Sequence, residues 1–147
     1  MNEKTLGILI LTLLSVPAYS AIRNSEIRDL EKEIIKKEWP ACLTPNNYYD
    51  QVYCASKVYG VVDDVLNDQY KNTVKLLSRE QSKSLKTVQI KWIRNRDDKC
   101  AKIIDSSVVL DLSCSTKLTV ESIYYLKQIE RNPNDFNLLL NEYERGE

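Results

Sequence analysis

The chain has 147 residues, with 21 basic side chains, 21 acidic ones and no histidine, so it carries no formal net charge at neutral pH. That length suits one domain. The neutral balance offers no field for nucleic acid or an anionic membrane surface, and the missing histidines remove the commonest general base and metal ligand.

The first twenty residues read as a signal peptide. Lys4 supplies a basic start, and Leu6–Val16 is an apolar run without charge, too short to anchor in a bilayer. Pro17 is expected to break the helix, and Ala18-Tyr19-Ser20 puts small residues where a signal peptidase reads. Cleavage after Ser20 removes only Glu3 and Lys4 among the charged residues, leaving 20 basic and 20 acidic in 21–147. No cysteine follows the apolar run to carry a lipid, and no later segment is apolar enough to suggest a membrane span. The expected destination is the periplasm.

Three glycines and four prolines are few, so long uninterrupted elements are expected. A first helix is predicted from Ser25, a suitable cap, to Trp39, with Ile27, Leu30 and Ile34 on one face and Pro40 as its stop. Its other side is charged and reads as solvated. Residues 40–48 read as a loop. A long helix from Tyr49 to Leu77 follows, its stripe formed by Val58, Val62, Val65 or Leu66, Tyr70, Val74 and Leu77. Gly60 within it costs on the order of 1 kcal/mol relative to alanine and marks a weak point.

After a turn at residues 78–82, a further helix is expected to end near Ile104, with Leu85, Gln89, Trp92, Arg96 and Cys100 in one stripe. Residues 105–111 read as an apolar loop or short extended piece. Thr116–Ile129 is the next helix, with Leu118, Ile123, Leu126 and Ile129 inward. Pro133 ends it, and Asp135–Tyr143 suits one last short helix. The expected fold class is all-α, a long antiparallel helical hairpin with flanking helices, stapled by disulfides. The expected division is a signal peptide (1–20), a charged N-terminal helix (21–40), a helical domain (41–130) and a C-terminal tail (131–147).

Cys42, Cys54, Cys100 and Cys114 are even in number in a chain that reads as exported, which points to disulfides. With no histidine and no CxxC pair, tetrahedral zinc is poorly served, and neither a metal nor a cofactor is expected. Four cysteines allow three connectivities. The local pairs Cys42–Cys54 and Cys100–Cys114 are favoured, each closing a short loop and contributing roughly 3 kcal/mol by restricting the unfolded chain.

Both long helices carry polar residues in their stripes. Asp63, Asn67 and Tyr70 share one face, as do Gln89, Trp92 and Arg96. With the turn centred near 79–81, antiparallel pairing sets Asp63 level with Arg96, and Asn67 and Tyr70 level with Gln89 or Trp92. Buried polar groups need partners, so these six residues read as an interhelical ladder that holds register. The rival reading is a carboxylate acid–base site, but no histidine or nucleophile accompanies them. Asp63-Asp64 and Asp97-Asp98 are sequence neighbours about 100° apart on a helix, which does not make a dyad. No glycine-rich phosphate loop, GxSxG elbow or HExxH is present. An enzyme is not expected.

The pattern Asp63-x-x-Leu66-Asn67-x-x-Tyr70, then Gln89-x-x-Trp92-x-x-x-Arg96-Asp97-x-x-Cys100, with Cys54 before it, resembles the LprI-type lysozyme inhibitor family. The resemblance covers about Cys42–Leu126. Two features differ: members commonly carry an arginine in the helix after the last cysteine, where this sequence has Ser122, and a charged helix here precedes Cys42. The resemblance implies a helical fold and a periplasmic protein that blocks lysozyme or a related wall hydrolase by protein–protein contact. Similar domains beside secreted toxins imply an alternative, an immunity protein that neutralises an antibacterial toxin. For an inhibitor, the candidate partner-binding residues are Asn46, Asn47, Tyr48 and Tyr49, because tyrosines give rigid contact area at low entropy cost. The alternative for these tyrosines is that they cover the open end of the helix pair.

Overall fold

The computed structural model describes the backbone of residues 15–146 and the side chains from Ser20 onward. Lys4 and most of the apolar run therefore lie outside the described residues. Helix α1 (Ser15–Glu38) is followed by a 3-10 turn (Pro40–Leu43), α2 (Tyr48–Val74), α3 (Arg79–Cys100), the strands β1 (Ala101–Ile104) and β2 (Ser107–Leu110), α4 (Leu112–Arg131), a second 3-10 turn (Pro133–Asp135) and α5 (Phe136–Arg145). The chain is all-α apart from one two-stranded hairpin.

Helix α1 runs through Pro17 and through Ser25, correcting the expected break and the expected cap. Ser25 is helix interior because nothing between Ala18 and Glu38 interrupts helical backbone; the next proline is Pro40. Helix α2 is capped by Asn47, whose side chain accepts from the Asp50 amide at 3.0 Å, and it continues through the exposed Gly60. Helix α3 begins at a reciprocal capping box: Ser78 Oγ accepts from the Gln81 amide at 3.2 Å, and Gln81 Oε1 accepts from the Ser78 amide at 3.0 Å. This sharp start confines the reversal between α2 and α3 to residues 75–78.

Helix α3 ends at Cys100 rather than near Ile104. The Cys100–Cys114 disulfide holds the two Cα atoms 5.5 Å apart, so the chain between must turn back on itself. Two runs rich in β-branched residues do this as a hairpin, pairing Ala101 with Leu110 and Ile103 with Val108. Asp105 and Ser106 form the turn with φ of 48° and 66°. Positive φ at both central positions is the geometry that matches the twist of a two-residue hairpin.

Helix α4 lies at the centre. It packs against α1, α2, α3 and α5, and α2 contacts it more extensively than any other element. Its buried residues point in nearly every direction, from Ser115 and Thr119 through Ser122–Leu126 to Ile129, as expected for a helix surrounded by others. Leu118, expected inward, is only half-buried. Threonine is tolerable there because Thr119 Oγ1 donates to the Ser115 carbonyl at 2.7 Å. Two bonds pin α1 to this helix: Arg23 Nη1 donates to Tyr125 Oη at 3.1 Å, and Tyr124 Oη donates to Glu26 at 2.8 Å. Ile27 and Ile34 from α1 and Phe136 and Tyr143 from α5 join one core with Val62, Leu66 and Leu85.

Candidate binding surface

Both favoured disulfides are formed, Cys42–Cys54 and Cys100–Cys114, and no cysteine is free. Each brackets an exposed apolar element. Inside the first bracket, Tyr48 and Tyr49 open α2 with 72% and 83% of their surface exposed. Asn46 and Asn47 precede them and are exposed too, but Asn47 is committed to its cap and also donates to Asp50 Oδ2 at 3.0 Å. One turn on, Tyr53 meets Trp39 edge-on at 6.0 Å, and Lys57 lies 5.6 Å from the Trp39 ring centroid. The Tyr48–Tyr49 pair therefore stands on a helix end fixed by a cap, a disulfide and an aromatic contact.

The second bracket holds the β1–β2 hairpin, every residue of which is exposed. Its register puts Ala101, Ile103, Val108 and Leu110 on one face, and Ile103 and Val108 are 81% and 75% exposed. Its base is closed by the disulfide, by the Asp111 amide donating to the Cys100 carbonyl at 2.9 Å, and by Lys102 on Asp111 at 2.9 Å. Asp111 also caps α4 by accepting from the Cys114 amide at 3.0 Å. That amide and Lys102 hold the Asp111 carboxyl below the ordinary aspartate range. Sequence reasoning missed this element as a candidate surface. The signal was there: two apolar runs of equal length either side of Asp105-Ser106, between two cysteines.

The six residues of the expected ladder separate in the structure. Arg96 is buried and reaches Asp63 at 3.5 Å, the level set by the turn. It also meets Asp97 at 2.8 Å and donates to Thr119 Oγ1 at 3.1 Å, with its guanidinium 5.6 Å from the Trp92 ring centroid. Asn67 is exposed, which corrects its placement on the buried face. Tyr70 is half-buried, and burial pushes its hydroxyl above the ordinary tyrosine value. Gln89 is buried, but its partner is Tyr143 of α5, whose hydroxyl in turn bonds Ser122 of α4.

The buried polar residues of α2 are instead Gln69 and Thr73, which the stripe analysis passed over. Gln69 donates to Glu130, and Thr73 Oγ1 lies 3.3 Å from the Leu126 carbonyl. The reason is rotational. Helix α2 turns its buried face to α4, while α3 contacts α4 and α5 more than α2.

Among the described residues, no group of three or more histidine, cysteine, aspartate or glutamate side chains is placed to hold a metal, and no helix is long and apolar enough to cross a membrane. Apart from Arg23 Nε and Ser115 Oγ, the buried polar side chains among the described residues are bonded within the helix bundle or open to its surface, and the exposed apolar groups stand on braced supports. This is the arrangement of a disulfide-stapled helical module with exposed apolar groups on rigid supports. The family described as lysozyme inhibitor LprI matches residues 42–126, more than half of the sequence, and the chain belongs to that family. The family's description is that of an inhibitor, not an enzyme, and together with two disulfides it fits an oxidising compartment outside the cytoplasm. No curated protein and no solved structure matches.

Proposed function

We propose that this protein is exported to the periplasm and there blocks a lysozyme by direct contact, with Tyr48 and Tyr49 at the centre of the binding face. Family membership supports the inhibitor class. The single observation that carries the surface is the pair of tyrosines, almost fully exposed on a helix start braced by Asn47 and by the Cys42–Cys54 disulfide. Rigid aromatic side chains lose little entropy on binding, which is the economy an inhibitor needs. Export follows the signal-peptide pattern. Cleavage after Ser20 keeps Arg23 and Glu26, which bond to α4, and Ile27 and Ile34, which join the core.

The test is wall clearing by a panel of lysozymes with the chain from Ala21 added. The parent slows lysis by at least one lysozyme. Replacing Tyr48 and Tyr49 together by alanine weakens inhibition about tenfold or more, roughly 1.4 kcal/mol, with helicity unchanged. Equal inhibition by both proteins removes the tyrosines from the site. No inhibition by the parent favours the immunity reading, in which the partner is a secreted antibacterial toxin. N-terminal sequencing of the periplasmic protein checks the cleavage site.

A further inference from the structure

A crevice opens where α1, the start of α2 and the start of α4 converge, with room for about 310 Å³. The Cys42–Cys54 disulfide and Val58 line it together with Gln51 and Ser113, and Glu31 of α1 is its only charged lining residue. A space of this size lies at the small end of pockets that hold organic groups, so it takes a side chain rather than a segment of chain. Glu31 is half-buried, and among the described residues no donor lies within hydrogen-bond reach of its carboxylate. Burial pushes the carboxyl above the ordinary glutamate range, while the charge of Lys117 acts in the opposite direction.

Exposed apolar residues lie close to the lining residues along the chain. Tyr48 precedes Gln51 by three positions on α2 and therefore shares its face, one turn further out. The hairpin ends at Leu110, three positions before Ser113. A half-buried carboxylate in a crevice otherwise lined by uncharged residues offers an anchor for a charged side chain.

We propose that the Glu31 crevice receives a lysine or arginine side chain of the lysozyme partner. The inference rests on the inhibitor reading and adds the chemistry of the contact. Charge complementarity selects the occupant: with Glu31 the one charged residue lining the crevice, a cation is attracted there and an acidic side chain is repelled. Glu31 lies on the charged helix before residue 42, outside the segment that matches the family. The contact is thus a feature of this chain's added helix.

The experiment measures affinity for the lysozyme that the parent inhibits best, at low and at moderate salt. Glu31→Gln weakens binding about tenfold and Glu31→Lys about a hundredfold or more, and the salt dependence of binding flattens in Glu31→Gln. Glu33→Gln makes the same charge change at an exposed position of α1 and leaves affinity unchanged. Circular dichroism confirms that the variants are folded. If Glu31→Lys binds as tightly as the parent, the crevice contact is overturned while inhibition stands. If the parent inhibits no lysozyme, the inhibitor reading falls and the contact with it.

Discussion

The hydroxyl of Tyr143, near the C-terminal end of α5, donates to Oε1 of Gln89 in the middle of α3, and both side chains are buried. Ser122 of α4 bonds the same hydroxyl, so three helices meet at one polar chain. With the Tyr143 proton engaged by Gln89, Ser122 is the donor to Tyr143. Tyr143 also stacks on Tyr125 with ring centroids 5.3 Å apart. Burial drives its hydroxyl far above the ordinary tyrosine range, so it is a neutral donor at neutral pH.

Removing that one oxygen leaves two buried groups short of a partner. Tyr143→Phe is expected to destabilise by roughly 1–3 kcal/mol, since an unsatisfied buried group costs its desolvation. Urea unfolding of parent and variant measures this. Adding Gln89→Leu to Tyr143→Phe recovers part of the loss, because the stranded amide goes with it. A midpoint equal to the parent's shows that water satisfies the chain.

The Arg96–Asp63 pair is lopsided, and its two halves differ in consequence. Arg96 is buried, whereas the Asp63 side chain is 43% exposed. Arg96→Ala deletes a buried side chain with its bond to Thr119 and its contact with Trp92, for an expected loss of roughly 1–3 kcal/mol. Asp63→Ala leaves Arg96 with Asp97 and Thr119, and the expected loss is under about 1 kcal/mol, the range of an exposed ion pair. Strong destabilisation by both, as the ladder reading expects, would place Asp63 inside the core. Denaturant midpoints of the two variants decide it.

Glu121 of α4 contributes a pH dependence of defined sign. Burial raises its carboxyl above the ordinary glutamate value, and Arg23, Lys99 and Lys117 act in the opposite direction without cancelling it. The folded state therefore holds the proton more tightly than the unfolded chain. Its contribution is complete below the unfolded value, about pH 4.3, and is lost as pH rises through the higher folded value. Glu121→Gln is expected to raise the thermal midpoint at pH 7 and to flatten its fall above pH 4.5 or so, with the two proteins converging in acid. Glu31 adds a parallel slope, so the variant reduces the dependence rather than abolishing it. Thermal scans across pH 4–8 measure it. A steeper fall in the variant would contradict the assignment.

Much of this fold is legible one segment at a time. The positions of α2, α3 and α4 follow from apolar period and breakers, and the Ser78–Gln81 capping box is written out in the chain. The level of Asp63 and Arg96 follows from counting residues away from a tight turn. The disulfide pairing follows from locality once export is granted. Residues 101–110 were harder, because a short apolar run fits a helix end and a strand equally well until the Cys100–Cys114 link forces a reversal.

The candidate surface divides in the same way. Tyr48 and Tyr49 stand out in the sequence as paired aromatics between breakers inside a cysteine bracket. Their exposure and the Glu31 crevice depend on segments far apart in the chain, whereas the hairpin inside the second bracket is local.

Local chemistry alone accounts for the helices, their caps and the two short disulfide loops, because each depends on residues within a few turns of one another. The centre of the molecule is a different matter. A helical period marks a face but not the neighbour that covers it, and each residue step rotates the side chain by about 100°. Docking on α4 rather than α3 is what buries Gln69 and Thr73 and leaves Asn67 in solvent. Contacts between helices far apart in sequence, not the pattern within any one of them, give Gln89 its partner in Tyr143 and leave Glu31 facing an open crevice.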